Sequence, residues 1–129
     1  MAARRRAIRA RNAPQTDLPI SHGIVVGNLV YTSGQIGTNP KTGKLVPGGI
    51  EEQTRQTIEN LAAILRAAGS SLDKGVKTTV YLTNMKEFPR MNSVYRTFFR
   101  REPPARSTVE VTALALKGAR IEIEIVASR

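Results

Sequence analysis

A guanidinium and a carboxylate are the two groups in this sequence that could together carry a hydrolysis. Arg106 stands just after Pro103-Pro104-Ala105, where the prolines stiffen the approach and would hold its fork in one direction. Such a fork can take a substrate carboxylate through two parallel hydrogen bonds. Glu122 and Glu124 alternate with Ile121, Ile123 and Ile125 near the end of the sequence. A carboxylate there can position a water or accept its proton. If the strands around Ser107 and Arg120 form a hairpin about Lys117-Gly118, counting back from the turn sets Glu122 within a few residues of the start of the Ser107 strand. Arg106 and Glu122 would then share one end of a sheet. Spacing alone favours a plainer account, an ordinary surface Arg–Glu pair bridging two strands, because such pairs are common and contribute little.

Four other positions carry useful groups, each with a bland alternative. Ser33-Gly34-Gln35 closes a strand; a glycine there lets a ligand approach the backbone, and equally makes a plain turn. Asn92 sits on a helix among Phe88, Met91 and Val94, where a partly buried amide wants a partner, either a ligand or a loop. Thr108, beside Arg106, is a hydroxyl donor to water or a routine strand residue. His22 has no evident paired acid or nucleophile, which favours a structural or surface role.

Composition closes off several chemistries. The 129 residues include no cysteine and one histidine, which excludes disulfides, thiolate catalysis, cysteine-ligated metals and a histidine-based metal site. Aromatic residues are 5% of the sequence with no tryptophan, a poor basis for stacking single-stranded bases. No apolar stretch reaches the ~18 residues of a membrane span, so a soluble, cytoplasmic protein is expected. The net charge is +10, and Arg4, Arg5, Arg6, Arg9 and Arg11 supply about half of it. This basic segment, residues 1–11, reads as a transit peptide, as an electrostatic foot for RNA or anionic surfaces, or as the solvated start of a first strand; the last is favoured. It lacks the apolar core of a secretion signal.

The elements that must position these residues follow from periodicity. Residues 4–10 could make a first strand. Gly23 to Thr32 reads as a hairpin turning at Gly27-Asn28. Ile50, Thr54, Ile58, Leu61, Leu65 and Ala68 recur at helical spacing and predict a helix over 50–68, with Glu51 and Glu52 in its first turn and Gly69 closing it. Residues 77–83 predict a strand, 88–100 a second helix stopped by Pro103-Pro104, and 107–114 and 120–127 two further strands. The order β-β-β-α-β-α-β-β makes a single domain over 1–129, an α/β (α+β) fold with one mixed sheet covered on one face by two helices.

In their order, Thr32-Ser33-Gly34-Gln35-Ile36, Asn39-Pro40-Lys41-Thr42-Gly43, Val76-Lys77-Thr78-Thr79-Val80, Met91-Asn92-Ser93-Val94-Tyr95, Pro104-Ala105-Arg106-Ser107 and Arg120-Ile121-Glu122-Ile123-Glu124 resemble the RidA/YjgF family of enamine and imine deaminases over nearly the whole length. The resemblance implies a chorismate mutase-like subunit, a homotrimer with sites in the clefts between subunits, and hydrolysis of a 2-imino acid to a 2-keto acid and ammonia without cofactor or metal. It implies that Arg106 binds the substrate carboxylate and Glu122 positions the hydrolytic water. Ser33, Gly34 and Asn92 then line the pocket, and Thr108, at a position often cysteine in the family, faces water or substrate. Where many members carry Gly-Pro-Tyr, this sequence has Leu18-Pro19-Ile20, so Ile20 would wall the pocket in place of the tyrosine ring. Family members described as ribonucleases or translation inhibitors leave an RNA-directed activity as one alternative, with non-specific RNA binding through the basic segment. A chaperone-like binding role is another.

Overall fold

The computed structural model describes residues 4–129. Its strands are β1 (Arg5–Ile8), β2 (Gly23–Val26), β3 (Leu29–Thr32), β4 (Gly75–Leu82), β5 (Ala105–Glu110) and β6 (Ile121–Ser128), and its helices are α1 (Ile50–Ala67) and α2 (Phe88–Phe98). The element order is the predicted one. The strands join in one six-stranded sheet ordered β1-β2-β3-β6-β4-β5. Only β4 and β5 run parallel, with α2 as their crossover.

Alternation decides which face of the sheet the helices cover. On β6, Ile121, Ile123, Ile125 and Ala127 are each no more than 1% exposed. They pack with Val80 and Leu82 of β4, Ile58, Leu61 and Leu65 of α1, and Met91 and Tyr95 of α2. Each isoleucine so buried contributes about 1.5–3 kcal/mol before entropy is subtracted. The intervening residues turn to the other face: Glu122 lies opposite Tyr81 and Glu124 opposite Thr79. There Tyr31 of β3 and Val109 of β5 are exposed.

The first strand and first hairpin stand as expected. Arg5 and Arg6 are exposed on β1 while Ile8 is buried, so residues 5–8 of the basic segment form a strand whose arginines face solvent. Gly27 takes φ +57°, the positive value a tight hairpin turn demands at its first central position.

The last two strands depart from the expected hairpin. β4 lies between β5 and β6, and β5 stops at Glu110. The turn at Lys117-Gly118 exists, closed by Ala119 N–H donating to the Leu116 carbonyl at 3.1 Å, but it belongs to a loop crossing from one strand to a non-adjacent one. The reason is side-chain character. β6 offers a continuous apolar face that needs helices above it and strands on both sides. β5, with sequence ARSTVE, has no such face and suits an edge. The second helix also ends earlier than expected, at Phe98: Phe99 leaves the helix and packs its ring against Tyr95, centroids 4.6 Å apart.

Candidate functional site

Glu122 lines a cleft of about 580 Å³ together with residues from the 14–22 and 33–38 segments, among them Leu18, Ile20, Ser33 and Gly34, and with Ala115 and Leu116. A local break in the sheet makes this setting. β3 pairs with β6 as far as Tyr31 opposite Val126. Then the Thr32 hydroxyl steps into the ladder, accepting from Ile125 N–H at 3.0 Å and donating to the Ile125 carbonyl at 3.3 Å. Pairing resumes one residue out of step, with Gln35 and Ile123 exchanging hydrogen bonds of 2.9 and 3.0 Å. Gly34 is thereby brought against the Glu122 side chain. A Cβ at 34 would stand 2.8 Å from the Glu122 carboxyl carbon, so only glycine leaves the carboxylate its place. Burial pushes the Glu122 carboxyl above its ordinary range, and the charge of Glu124 pushes it further. Glu124 is itself held by the Tyr81 hydroxyl at 3.2 Å.

Ser33 and Ile20 line the same cleft. The Ser33 hydroxyl donates to the Ser21 carbonyl at 2.6 Å, tying the 17–21 loop down while leaving lone pairs to accept. His22 has the structural role favoured for it. Its Nδ1 accepts from Ala10 N–H at 2.9 Å and its Nε2 donates to the Pro14 carbonyl at 2.8 Å.

Arg106 lies elsewhere. It pairs in register with the buried Thr78, and Thr108 with the buried Val80, so both point to the helix side of the sheet. The guanidinium rests 4.7 Å from the centroid of Tyr95 and 5.5 Å from that of Phe88, contacts worth about 0.5–2 kcal/mol together. The Tyr95 hydroxyl is bonded to the Thr78 hydroxyl at 2.7 Å, which fixes the ring beneath the cation. Phe88, Asn92 and Tyr95 follow one another at four- and three-residue steps on α2, placing Asn92 on the face that meets Arg106.

The expected meeting of Arg106 and Glu122 at one end of the sheet does not occur within the chain. β4 intervenes, the two strands stand two spacings apart, about 10 Å, and the side chains leave opposite faces. Nor do the two make a surface ion pair. The candidate residues fall into two groups: Glu122, Ser33, Gly34 and Ile20 around the cleft, and Arg106 and Thr108 of β5 with Asn92 of α2 on the helix side of the sheet. Glu122 is the only carboxylate lining its cleft among the described residues, and no lysine or arginine lines it. Among the described residues, no three His, Asp or Glu side chains converge to hold a metal ion.

Sequence patterning alone passed over two buried amides that shape the cleft. Asn60 donates to the carbonyls of Ile36 and Thr38 at 3.1 and 2.9 Å. Gln53 donates to the Gly118 carbonyl at 3.1 Å and accepts from Arg120 N–H at 2.8 Å. Each clamps a loop of the cleft wall to α1. Their signal was their spacing: Gln53, Thr57 and Asn60 recur at four and three residues, like the apolar stripe beside them. Tyr95, the platform under Arg106, enters the sequence reading only as the last residue of the Met91–Tyr95 motif.

Residues 10–129 match the family profile described as Endoribonuclease L-PSP. The chain belongs to the RidA/YjgF family. Among its relatives, a RutC family protein of Pyrococcus horikoshii is 49% identical over 116 residues, 90% of this chain and 91% of that one. A mouse protein named 2-iminobutanoate/2-iminopropanoate deaminase is 42% identical over 123 residues, 95% of this chain and 90% of the mouse protein. The solved structure of the YjgF gene product of Escherichia coli superposes with TM-score 0.91 at 42% identity, covering 96% of this chain and 98% of that one. The mixed sheet with two helices on one face is thus the RidA/YjgF fold, and the residue groups above sit on it.

Proposed function

We propose that this RidA-family chain is a hydrolytic deaminase of 2-imino and enamine acids, acting as a homotrimer whose sites each draw on two subunits. Arg106, Asn92 and Thr108 come from one subunit and Glu122, Ser33, Gly34 and Ile20 from its neighbour. The observation that carries this reading is the opposition of Arg106 and Glu122 across the sheet, together with a Glu122 cleft that has no cation of its own. A carboxylate substrate is repelled by a carboxylate with no cation beside it, which supports a clamp supplied by a neighbouring subunit. The open sheet face with exposed Tyr31 and Val109 offers a surface for that contact. The activity named for the mouse relative supports the reaction class.

The chemistry follows from the two groups. Arg106, braced on Tyr95 and Phe88, takes the substrate carboxylate with its fork and fixes the imine carbon in place. Glu122, its carboxyl raised by burial and by Glu124, accepts a proton from water as the oxygen bonds to that carbon. The carbon–nitrogen bond then breaks, ammonia leaves with the transferred protons, and a 2-keto acid remains. Thr108, beside Arg106 on the same face, supplies a hydroxyl to the water or substrate.

Mixing two inactive variants tests the shared site. Arg106→Ala and Glu122→Gln subunits, co-expressed with different tags, should recover about one quarter of wild-type sites in randomly assorted trimers. No recovery, or a monomer by light scattering, would overturn the reading. An RNA-directed role is favoured by the exposed arginines of β1 and by the family profile's description. Against cleavage stands the single histidine, engaged at both ring nitrogens.

A further inference from the structure

The wall that residues 14–20 contribute to the Glu122 cleft has open space on both sides. Gln15, Thr16, Ile20 and His22 line the cleft and also a second cavity of about 270 Å³, which Ile8 and Arg9 help to close. Every residue from Gln15 to Ile20 is exposed. A partition between two cavities has few packed neighbours, so its position depends on a small number of directed bonds. The chain before it is anchored by burial, with Ala10 and Ala13 packed against Ala63 and Ile64 of α1. The chain after it is anchored at Ser33, whose hydroxyl donates to the Ser21 carbonyl and whose N–H donates to the His22 carbonyl at 3.0 Å.

One buried side chain reaches from the far anchor back to the start of the wall. The His22 ring accepts at Nδ1 from Ala10 N–H and donates from Nε2 to the Pro14 carbonyl. A backbone N–H can only donate, so in this arrangement the ring carries its proton on Nε2. Pro14 lines the cleft and has no N–H of its own, which leaves its carbonyl as its backbone tie. The Gln15 amide folds back onto the carbonyls of Ala10 and Ala13 at 2.9 and 2.8 Å, so the turn leading into the wall is held from both sides.

We propose that His22 is a positioning residue for the Glu122 site: through Nε2–H it fixes Pro14, and with Pro14 the 14–20 wall of the cleft. The inference rests on the deaminase reading and deepens it. The ring moves no proton in this role, since both nitrogens are engaged by the backbone. Its two bonds have different consequences. The Ala10 bond ends on a residue already buried against α1, so losing it leaves the wall in place. The Pro14 bond ends on the wall itself. Two amide side chains separate these bonds. Asparagine sets its oxygen near the place of Nδ1 and keeps the acceptor for Ala10 N–H. Glutamine, one methylene longer, sets its NH2 near the place of Nε2 and keeps the donor for Pro14.

The test compares His22→Asn and His22→Gln with the full-length wild type. The 2-imino acid is made in place from alanine by a flavin-dependent amino-acid oxidase, and semicarbazide traps what survives for detection. His22→Asn should raise KM roughly fivefold, the worth of one lost hydrogen bond, with kcat near wild type, while His22→Gln should stay within about twofold of wild type in both. Each variant gives up one ring bond, so their melting temperatures should fall together. Hydrogen exchange over residues 15–21 should quicken in the Asn variant and not in the Gln variant. The chain has one histidine, so nitrogen-15 NMR of the labelled wild type reports this ring alone, and it should show the proton on Nε2. Gln15→Met, at an exposed position, loosens the same turn without touching the buried ring and should also raise KM. An equal loss of kcat in both His22 variants would make the ring a proton carrier. Wild-type kinetics in His22→Asn, with only the melting temperature lowered, would make it purely structural. A proton on Nδ1 would remove the Pro14 bond. Each of these results would overturn the inference and leave the deaminase reading standing. Should His22→Asn fail to fold, an unchanged KM in Gln15→Met would overturn it instead. A wild type that does not accelerate imine hydrolysis would overturn the deaminase reading, and this inference with it.

Discussion

Gly34→Ala would separate the chemistry of Glu122 from the stability of the sheet that carries it. Gly34 does not take a positive φ, so its backbone accepts alanine, which also restrains the unfolded chain by about 0.4–1 kcal/mol. The obstacle is local. The new Cβ would stand 2.8 Å from the Glu122 carboxyl carbon and 2.9 Å from its Cγ, whereas carbon atoms rest at about 3.5–4.0 Å. The carboxylate must therefore withdraw by roughly 1 Å, and a misplacement of that size costs on the order of 100-fold in rate. The side chain that yields is half-buried and flexible, so the melting temperature should stay within about 4 °C of wild type. Gly37→Ala supplies the contrast. Its Cβ would meet the backbone of Gln53, 2.8 Å from Cα and 2.9 Å from the carbonyl oxygen, and a helix backbone cannot swing aside, so it should lower the melting temperature further. The assay is steady-state deamination beside thermal melts. Wild-type kcat/KM in Gly34→Ala would refute the placement of the reaction at Glu122, as would a large fall in melting temperature with unchanged turnover per folded molecule.

Two further expectations concern the charged groups. Arg106→Lys should lose activity nearly as badly as Arg106→Ala, at least tenfold from a lost pair worth about 2–5 kcal/mol, because an ammonium keeps the charge but neither forks onto a carboxylate nor lies flat on Tyr95 and Phe88; a Lys variant with wild-type kcat/KM would show that the planar fork is dispensable. The acid limb of the pH–rate profile should follow Glu122, whose carboxyl burial and then Glu124 hold above its ordinary range. As pH falls through that raised value the carboxylate takes up a proton and ceases to act as a base. Removing the neighbouring charge with Glu124→Gln lowers the value, so the limb should move to lower pH. A limb that stays or moves upward would remove Glu124 from that role.

The strand and helix order was legible because each element announces itself locally. Ile121, Ile123 and Ile125 alternating with Glu122 and Glu124 require a strand with one covered face. Ile50, Ile58, Leu61 and Leu65 require a helix lying on it. Alternation also fixes that Ile123 and Glu122 part company, whatever their neighbours. The identity of those neighbours is not a local property. A strand's periodicity is the same whether the adjacent strand is next in sequence or 40 residues away, so the 107 and 120 strands read as a hairpin. Only the packed sheet sends the apolar β6 to its centre, leaves β5 at the edge, and puts β4 between them.

The candidate site divides in the same way. Residue types named Arg106 and Glu122 as the groups able to clamp a carboxylate and activate water, and sequence resemblance assigned each of them a part. Their distance depends on pairings between residues far apart in sequence, and so does the crowding of Glu122 against Gly34, which arises from a one-residue slip of β3 against β6 at Thr32. The loops walling the cleft owe their positions to Gln53 and Asn60, whose side chains reach backbone carbonyls 65 and 24 residues away. Sequence determined what chemistry the chain can offer, because side-chain type sets charge, geometry and proton affinity. Tertiary structure decided which of those groups face one another, because that depends on which surfaces the buried apolar face brings together, and it set Arg106 and Glu122 on opposite sides of one sheet.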